Sequence, residues 1–271
     1  MNMLKVDVEQ VLAQKAPKLA KRLPRFLINY LKKIVHQDEI NEILTEFGPL
    51  EPIEFIRSAL KYMGVSYYAE GLENIKPGGR YLFAGNHPFG GMDGLMVAER
   101  VSSVLGDVRS VSNDILMAIE PLRPIILPVN KHGRQSKEGA RVFEDCFASD
   151  VPIQTFPAGL CSRKINGKIT DLEWRTNFVK KAIQYDRTII PVHTEGSLSK
   201  RFYRIHRFRQ IFGIKANLEM LYLVDEMFRQ KGKTFKVSFG KPISCEELKA
   251  QGDARQMTEY VRSKVYEMAE N

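Results

Sequence analysis

The chain has 271 residues, of which 44% are hydrophobic and 27% charged, and its formal net charge is +9. That is enough chain for one α/β domain with an appendage, in the composition of an ordinary globular protein. No apolar run approaches the roughly 18 residues needed to span a bilayer, and Cys146, Cys161 and Cys245 show neither disulfide-framework nor zinc-ligand spacing.

A reducing, cytoplasmic setting fits those cysteines. The first twenty residues contain Asp7 and Glu9 and no apolar stretch, so no signal peptide is expected. Residues 1–36 hold eight Lys/Arg against these two acids, about +6 of the whole formal charge. Leu23, Phe26, Leu27, Tyr30, Leu31 and Ile34 fall at helical spacing, with Pro24 suited to the first turn. This stripe serves either packing on the protein's own core or docking on a membrane surface. Pro17 should interrupt the pattern before it, and a third helix is predicted over 52–63, closed by Gly64. Residues 1–64 therefore read as a basic, amphipathic helical extension.

From residue 65 the pattern changes to short apolar runs alternating with helical periods. Strands are predicted at 80–84, 124–129, 151–156, 187–194 and 234–240. Helices are predicted at 94–105, 137–148 and 174–185, over a long region near 199–230, and from about Glu246. This alternation predicts an α/β domain over 65–271, with a mostly parallel or mixed central sheet flanked by helices. A second basic cluster, "SKRFYRIHRFRQIFGIK" at 199–215, alternates Arg and Lys with Phe, Tyr and Ile. Basic clusters of this kind seek phosphates, of nucleic acid or of lipid headgroups.

Ligands in such sheets meet the carboxyl ends of strands. Three predicted strands run into glycine-bearing polar loops: "GNHPFGGMDG" from Gly85, "PAGLCSRKINGK" from Pro157 and "EGSLSKR" from Glu195. The first has no GK[ST] and no G-x-G-x-x-G spacing, so it is neither a Walker A loop nor a dinucleotide fingerprint. It does hold His87 and Asp93 one tight turn apart. A histidine oriented by a carboxylate is a general base. With no Ser or Cys between them, the base would act on a substrate group. Asp93 also stands where it could simply cap the helix that follows. Gly90 and Gly91 let a substrate approach the backbone, and their N–H groups could hold an oxyanion.

"NHPFGGMDG", "FPAGLCSR" and "IIPVHTEG" together resemble the lysophospholipid acyltransferase family, the 1-acylglycerol-3-phosphate acyltransferases and their relatives, over about residues 80 to 200. The resemblance implies a membrane-associated enzyme that moves an acyl chain from acyl-CoA or acyl carrier protein to a lyso-lipid hydroxyl. It makes His87 the base and Asp93 its orienting partner, with no metal or cofactor. His87 and Asp93 have five residues between them, where the family has four. Its Phe-Pro-Glu-Gly-Thr-Arg-Ser motif stands here as Phe156, Pro157, Ala158, Gly159, Leu160, Cys161 and Ser162. The glutamate and arginine that hold the acceptor phosphate are thus absent, and Arg163, Lys164 and Arg134 are the candidates to replace them. The variant motifs resemble a branch that acylates aminolipids, which makes a lyso-glycine or lyso-ornithine lipid a candidate acceptor beside lysophosphatidic acid. Phe156, Pro157 and Gly159 are expected to line the substrate site, while His193 and Glu195 are expected to be structural.

The expected location is the cytoplasmic, inner face of the membrane. The rival classes are a thioesterase using the same site on water, a lipid-binding pseudoenzyme and a nucleic-acid-binding protein. The last leaves the His87–Asp93 loop unexplained and shows none of the common nucleic-acid-binding signatures, so no nucleic acid is expected as partner.

Overall fold

The structure, a computed structural model, describes residues 5–129 and 136–269. Its helical N-terminal part contains α1 (Val8–Lys15), α2 (Pro17–Ala20), α3 (Arg25–Ile34), α4 (Gln37–Phe47) and α5 (Pro52–Tyr62). Then follow β1 (Ser66–Glu70), β2 (Tyr81–Gly85), α6 (Met92–Leu105), β3 (Arg109–Asn113), β4 (Ile126–Val129), α7 (Lys137–Ala148) and β5 (Ile153–Thr155). A hairpin, β6 (Arg163–Ile165) and β7 (Lys168–Thr170), precedes α8 (Asn177–Gln184), β8 (Thr188–Thr194) and α9 (Lys200–Ile211). The chain closes with α10 (Leu223–Phe228), β9 (Thr234–Phe239), α11 (Cys245–Lys249) and α12 (Ala254–Glu267).

Two compact units result. One comprises residues 1–65, 118–121 and 198–233, the other 66–117, 122–197 and 234–271. The first break falls after Val65. The segment 198–233, however, groups with the N-terminal helices instead of continuing the α/β unit, so the helical unit is larger than an N-terminal extension. The helical region expected near 199–230 comprises α9, a 3-10 turn (Leu218–Tyr222) and α10.

The α/β unit is built on a seven-stranded sheet in the order β1-β9-β8-β2-β5-β3-β4. All neighbouring strands pair in parallel except β8 with β9, so the sheet is α/β and mixed. β2 lies at its centre and is buried along its whole length, as its unbroken apolar run requires of a strand covered on both faces. Leu82, Ile153 and Ile189 from the central strands pack in one cluster with Phe178 and Val179 of α8 and Val261 and Val265 of α12. At α6, the Gln154 amide of β5 donates to the Gly94 carbonyl at 2.8 Å. Because β5, β2 and β8 are adjacent and parallel, the three polar loops leave one edge of the sheet side by side.

Candidate active site

His87 is the second residue beyond β2. Its neighbour Asn86 fixes the strand ends: the Asn86 amide donates to the Thr194 carbonyl at 3.0 Å and accepts from the Thr194 N–H at 2.8 Å, tying β2 to β8. The chain then turns through Gly90, which has φ of 81°, the left-handed region that favours glycine. Gly91 donates its N–H back to the Phe89 carbonyl at 3.1 Å. This tight turn takes up the extra residue between His87 and Asp93. Asp93 is consequently the second residue of α6, inside the helix and not ahead of it.

The pair forms. His87 Nδ1 lies 3.0 Å from Asp93 Oδ2. Asp93 is fully buried and also accepts the Phe89 N–H at 3.2 Å and the Gly94 N–H at 3.2 Å. These three contacts on one carboxylate fix its position. An Asp that accepts from Nδ1–H leaves the lone pair on Nε2, the arrangement of a base. The His87 ring stacks on Phe156, centroids 4.2 Å apart at 19°, and its side chain is 15% exposed.

The backbone of His87 is held as firmly as its ring. Its N–H donates to Asp171 Oδ1 at 3.1 Å and its carbonyl accepts the Ser162 N–H at 2.8 Å. Asp171 also receives the Ser162 hydroxyl at 2.6 Å and the Trp174 indole N–H at 2.9 Å. Burial pushes the Asp171 carboxyl above the usual carboxylate range, against the pull of those donors. From the third loop, Gly196 closes on this assembly. Its φ is 133°, and a Cβ there would stand 2.1 Å from Cζ of Phe89, so the loop needs glycine at that point.

The other expected site residues divide. Phe156 joins the site directly, and Pro157 lies buried behind it, its carbonyl accepting the Arg175 N–H at 3.1 Å. The Gly159 N–H donates to the Phe156 carbonyl at 2.9 Å. The amides of Gly91 and Gly159 are thus spent in turns and are not oxyanion donors in this arrangement, whereas no described residue accepts from Gly90. Arg163, expected to face an anionic group, is buried instead: its guanidinium folds back on the Cys161 carbonyl and lies 3.0 Å from Cys161 Sγ. Lys164 is exposed on the β6–β7 hairpin. Arg134 lies outside the described residues.

His193 and Glu195 stay apart from the pair. Glu195 is bound to Lys236 at 2.9 Å. Buried His193 has its pKa lowered by desolvation. It lines a cavity of about 220 Å³ with Asn86, Ser162, Ile169 and Tyr266. Sequence reasoning did not single out Asn86, Ser162, Asp171 or Trp174. Asn86 adjoins His87 and was open to inspection. Asp171 is 84 positions away and had no local signal.

Comparison with known proteins places this geometry in a family. The family described as "Acyltransferase" matches residues 10–271. The chain belongs to it. A protein named lyso-glycine lipid O-acyltransferase from Bacteroides thetaiotaomicron is 42% identical over 264 residues, covering 97% of each chain. A second of that name from Phocaeicola vulgatus is 39% identical over 264 residues, covering 97% of this chain and 95% of its own. Among solved structures, the 1-acyl-sn-glycerophosphate acyltransferase PlsC of Thermotoga maritima matches at a TM-score of 0.50 and 14% identity, covering 90% of this chain and 92% of its own. At that identity the likeness is one of fold. The chain is therefore an acyltransferase on the mixed α/β scaffold that its motifs implied.

Proposed function

We propose that this acyltransferase moves a fatty acyl chain from an acyl thioester, of coenzyme A or acyl carrier protein, to the hydroxyl of a lyso-glycine lipid. It does so at the inner, cytoplasmic face of a membrane. The observation that carries the chemistry is the 3.0 Å contact between Nδ1 of the partly exposed His87 ring and buried Asp93. The choice of acceptor rests on the names of the two relatives. The replacement of the phosphate-holding Glu and Arg by Ala158 and Cys161 supports it.

In this mechanism His87 Nε2 takes the proton of the acceptor hydroxyl as its oxygen attacks the thioester carbon. Asp93 stabilises the imidazolium that forms. The carbonyl oxygen becomes an oxyanion, for which the Gly90 N–H, not taken up by any described acceptor, is the loop donor. The carbon–sulfur bond then breaks, the carbonyl re-forms, and the departing thiolate takes the proton back from Nε2–H. The products are an ester and a free thiol. The donor thioester is a co-substrate, and the steps use no metal and no covalent enzyme intermediate.

The test is acyl transfer by purified protein from a labelled palmitoyl thioester, with lyso-glycine lipid and lysophosphatidic acid offered separately. Labelled product from the glycine lipid, reduced about 10²–10⁴-fold in His87→Ala, is the expected result. A folded His87→Ala protein that retains its rate would remove His87 from the reaction. Thioester loss without acylated lipid would make the enzyme a hydrolase, and product from lysophosphatidic acid alone would reassign the acceptor.

A further inference from the structure

The helical unit carries an exposed apolar surface. Helix α9 packs Phe202 and Tyr203 inward, yet it also exposes large apolar residues. Its inward side holds Arg209 and His206, both paired with the buried Glu219 at 3.0 and 3.2 Å. Its outward side is the stripe Arg204, Arg207, Phe208, Ile211, at i, i+3, i+4 and i+7 and exposed throughout. Phe208 is 53% exposed, Ile211 69% and Phe212 64%. The two Phe rings lie 4.4 Å apart, so they form one apolar tip.

The neighbouring elements of the same unit continue this character. The 3-10 turn at 218–222 exposes Leu221, and α3 exposes Phe26 and Tyr30. Tyr30 and Tyr222 share a hydrogen bond at 2.9 Å, which joins α3 to that turn. The α3 stripe read from sequence as one packing face is therefore split: Ile34 is buried while Phe26 and Tyr30 face out. Monomeric surfaces scatter single apolar residues, but a cluster of large ones marks an interaction site.

The charge says what the partner is. Between Gly196 and Leu218 the chain has six Lys/Arg and no acid. Arg201 and Arg209 are held in ion pairs. Lys200, Arg204, Arg207 and Lys215 are exposed, and none pairs with a described acid. Unpaired cations beside a protruding Phe–Ile–Phe tip match a bilayer with anionic headgroups over an apolar interior. A nucleic acid would satisfy the cations and stack on the Phe rings, but it offers nothing to Ile211 and Leu221.

The geometry points to α9 and its C-terminal turn as an anchor on anionic lipid, with Phe208, Ile211 and Phe212 entering the interface and Arg204, Arg207 and Lys215 at the headgroups. α3 adds Phe26, Tyr30 and Lys33 on its outer side. The proposal uses the acyltransferase reading only in that the acceptor is a lipid. The surface is defined without the catalytic residues.

The experiment is co-sedimentation of the full chain with phosphatidylcholine vesicles, with and without phosphatidylglycerol, at low and high salt. Variants are Arg204→Gln/Arg207→Gln and Phe208→Ser/Ile211→Ser/Phe212→Ser, each checked by circular dichroism for native melting. Binding that needs phosphatidylglycerol and weakens with salt is expected. At about fivefold per cation, the double Arg variant should bind about 25-fold more weakly, and the triple variant should lose retention even at low salt. Both should keep acyl transfer to detergent-dispersed lyso-lipid. If that activity is absent in wild type while vesicle binding behaves as stated, the anchor stands and the acyl-transfer reading fails. A folded triple variant that sediments like wild type overturns the anchor. So does a wild type that ignores vesicles, whether it binds duplex DNA or self-associates instead.

Discussion

Replacing Asp93 by asparagine removes the charge and one acceptor while keeping the shape. The carboxylate now serves His87 Nδ1 and the Phe89 N–H through Oδ2, and the Gly94 N–H through Oδ1. An asparagine has one oxygen and one NH₂, so two orientations compete. With the oxygen toward His87, the Nδ1–H tautomer survives but the Gly94 N–H faces an NH₂. With the NH₂ toward His87, the Gly94 bond survives, but the Phe89 N–H loses its acceptor and His87 must accept at Nδ1, which puts its proton on Nε2. Each orientation leaves one backbone N–H opposed, at about 1–3 kcal/mol of stability. Neither keeps the base intact: the first leaves the imidazolium without its anion, and the second abolishes the lone pair on Nε2. We expect Asp93→Asn to fold with a lowered melting temperature and to transfer acyl groups about 10²–10⁴-fold more slowly, which is roughly 3–5 kcal/mol of barrier. The assay is the initial rate of labelled acyl transfer, on protein shown by circular dichroism to be folded. A folded Asp93→Asn enzyme within twofold of wild type would refute the reasoning, leaving Asp93 as a residue that fastens the loop to the first turn of α6 and nothing more.

Two further outcomes follow from carboxylates that accept several hydrogen bonds. Asp171→Asn keeps an oxygen for His87 N–H and Ser162 but turns an NH₂ on the Trp174 indole N–H; it should lose about 1–3 kcal/mol and lower kcat more than KM. Trp174 is the only tryptophan, so its fluorescence should shift as well, and unchanged emission and melting would rule out this positioning role. In the helical unit, burial would raise the Asp225 pKa, but hydrogen bonds from Arg229, His36 and Arg201 outweigh it and hold it at about 2, below the ordinary 3.8. A lowered acid stabilises the fold above its unfolded pKa, here by about 2 kcal/mol, and that contribution is lost as pH falls from about 4 towards 2. Urea unfolding of wild type and Asp225→Asn should thus differ at pH 5 and converge near pH 2; an equal gap at both would contradict the assignment.

The parts of the fold that were legible were those where burial on both faces leaves a continuous apolar run, as in β2 and β8. The strands missed were at or toward the edges. β1 alternates exposed and half-buried residues, and β3 reads Arg-Ser-Val-Ser-Asn, neither of which looks like a buried run. α4 was readable from Ile40, Ile43, Leu44 and Phe47 at helical spacing, but its N-cap, His36, makes no side-chain cap bond that would have marked its start. The β6–β7 hairpin also had a signal, Asn166-Gly167. Both residues take positive φ, 49° and 85°, the turn that this dipeptide favours. The His87–Asp93 pair was legible because one turn carries both residues. The groups that hold the His87 backbone were not, because Ser162, Asp171 and Trp174 come to it only through the packing of the sheet edge. Nor could periodicity show that 198–233 returns to the N-terminal helices.

The proposed acceptor is supported by two side chains of the second loop. Ala158 is 7% exposed and belongs to the apolar cluster of Leu82, Ile153 and Trp174. A glutamate there would have to bury a carboxylate among hydrocarbon, at a cost that only a partner charge offsets. The cation that the family motif has at position 161 is absent too. In its stead the Arg163 guanidinium reaches back to Cys161 Sγ and the loop carbonyls. A guanidinium tied to carbonyls and sulfur steadies its loop, where one held out in a fork would grip a phosphate. Both changes remove grip on a phosphodianion while leaving the His87–Asp93 base and its Phe156 platform untouched. On the proposed reading, a site altered in this way would suit an acceptor with a singly charged carboxylate headgroup better than one with a phosphate.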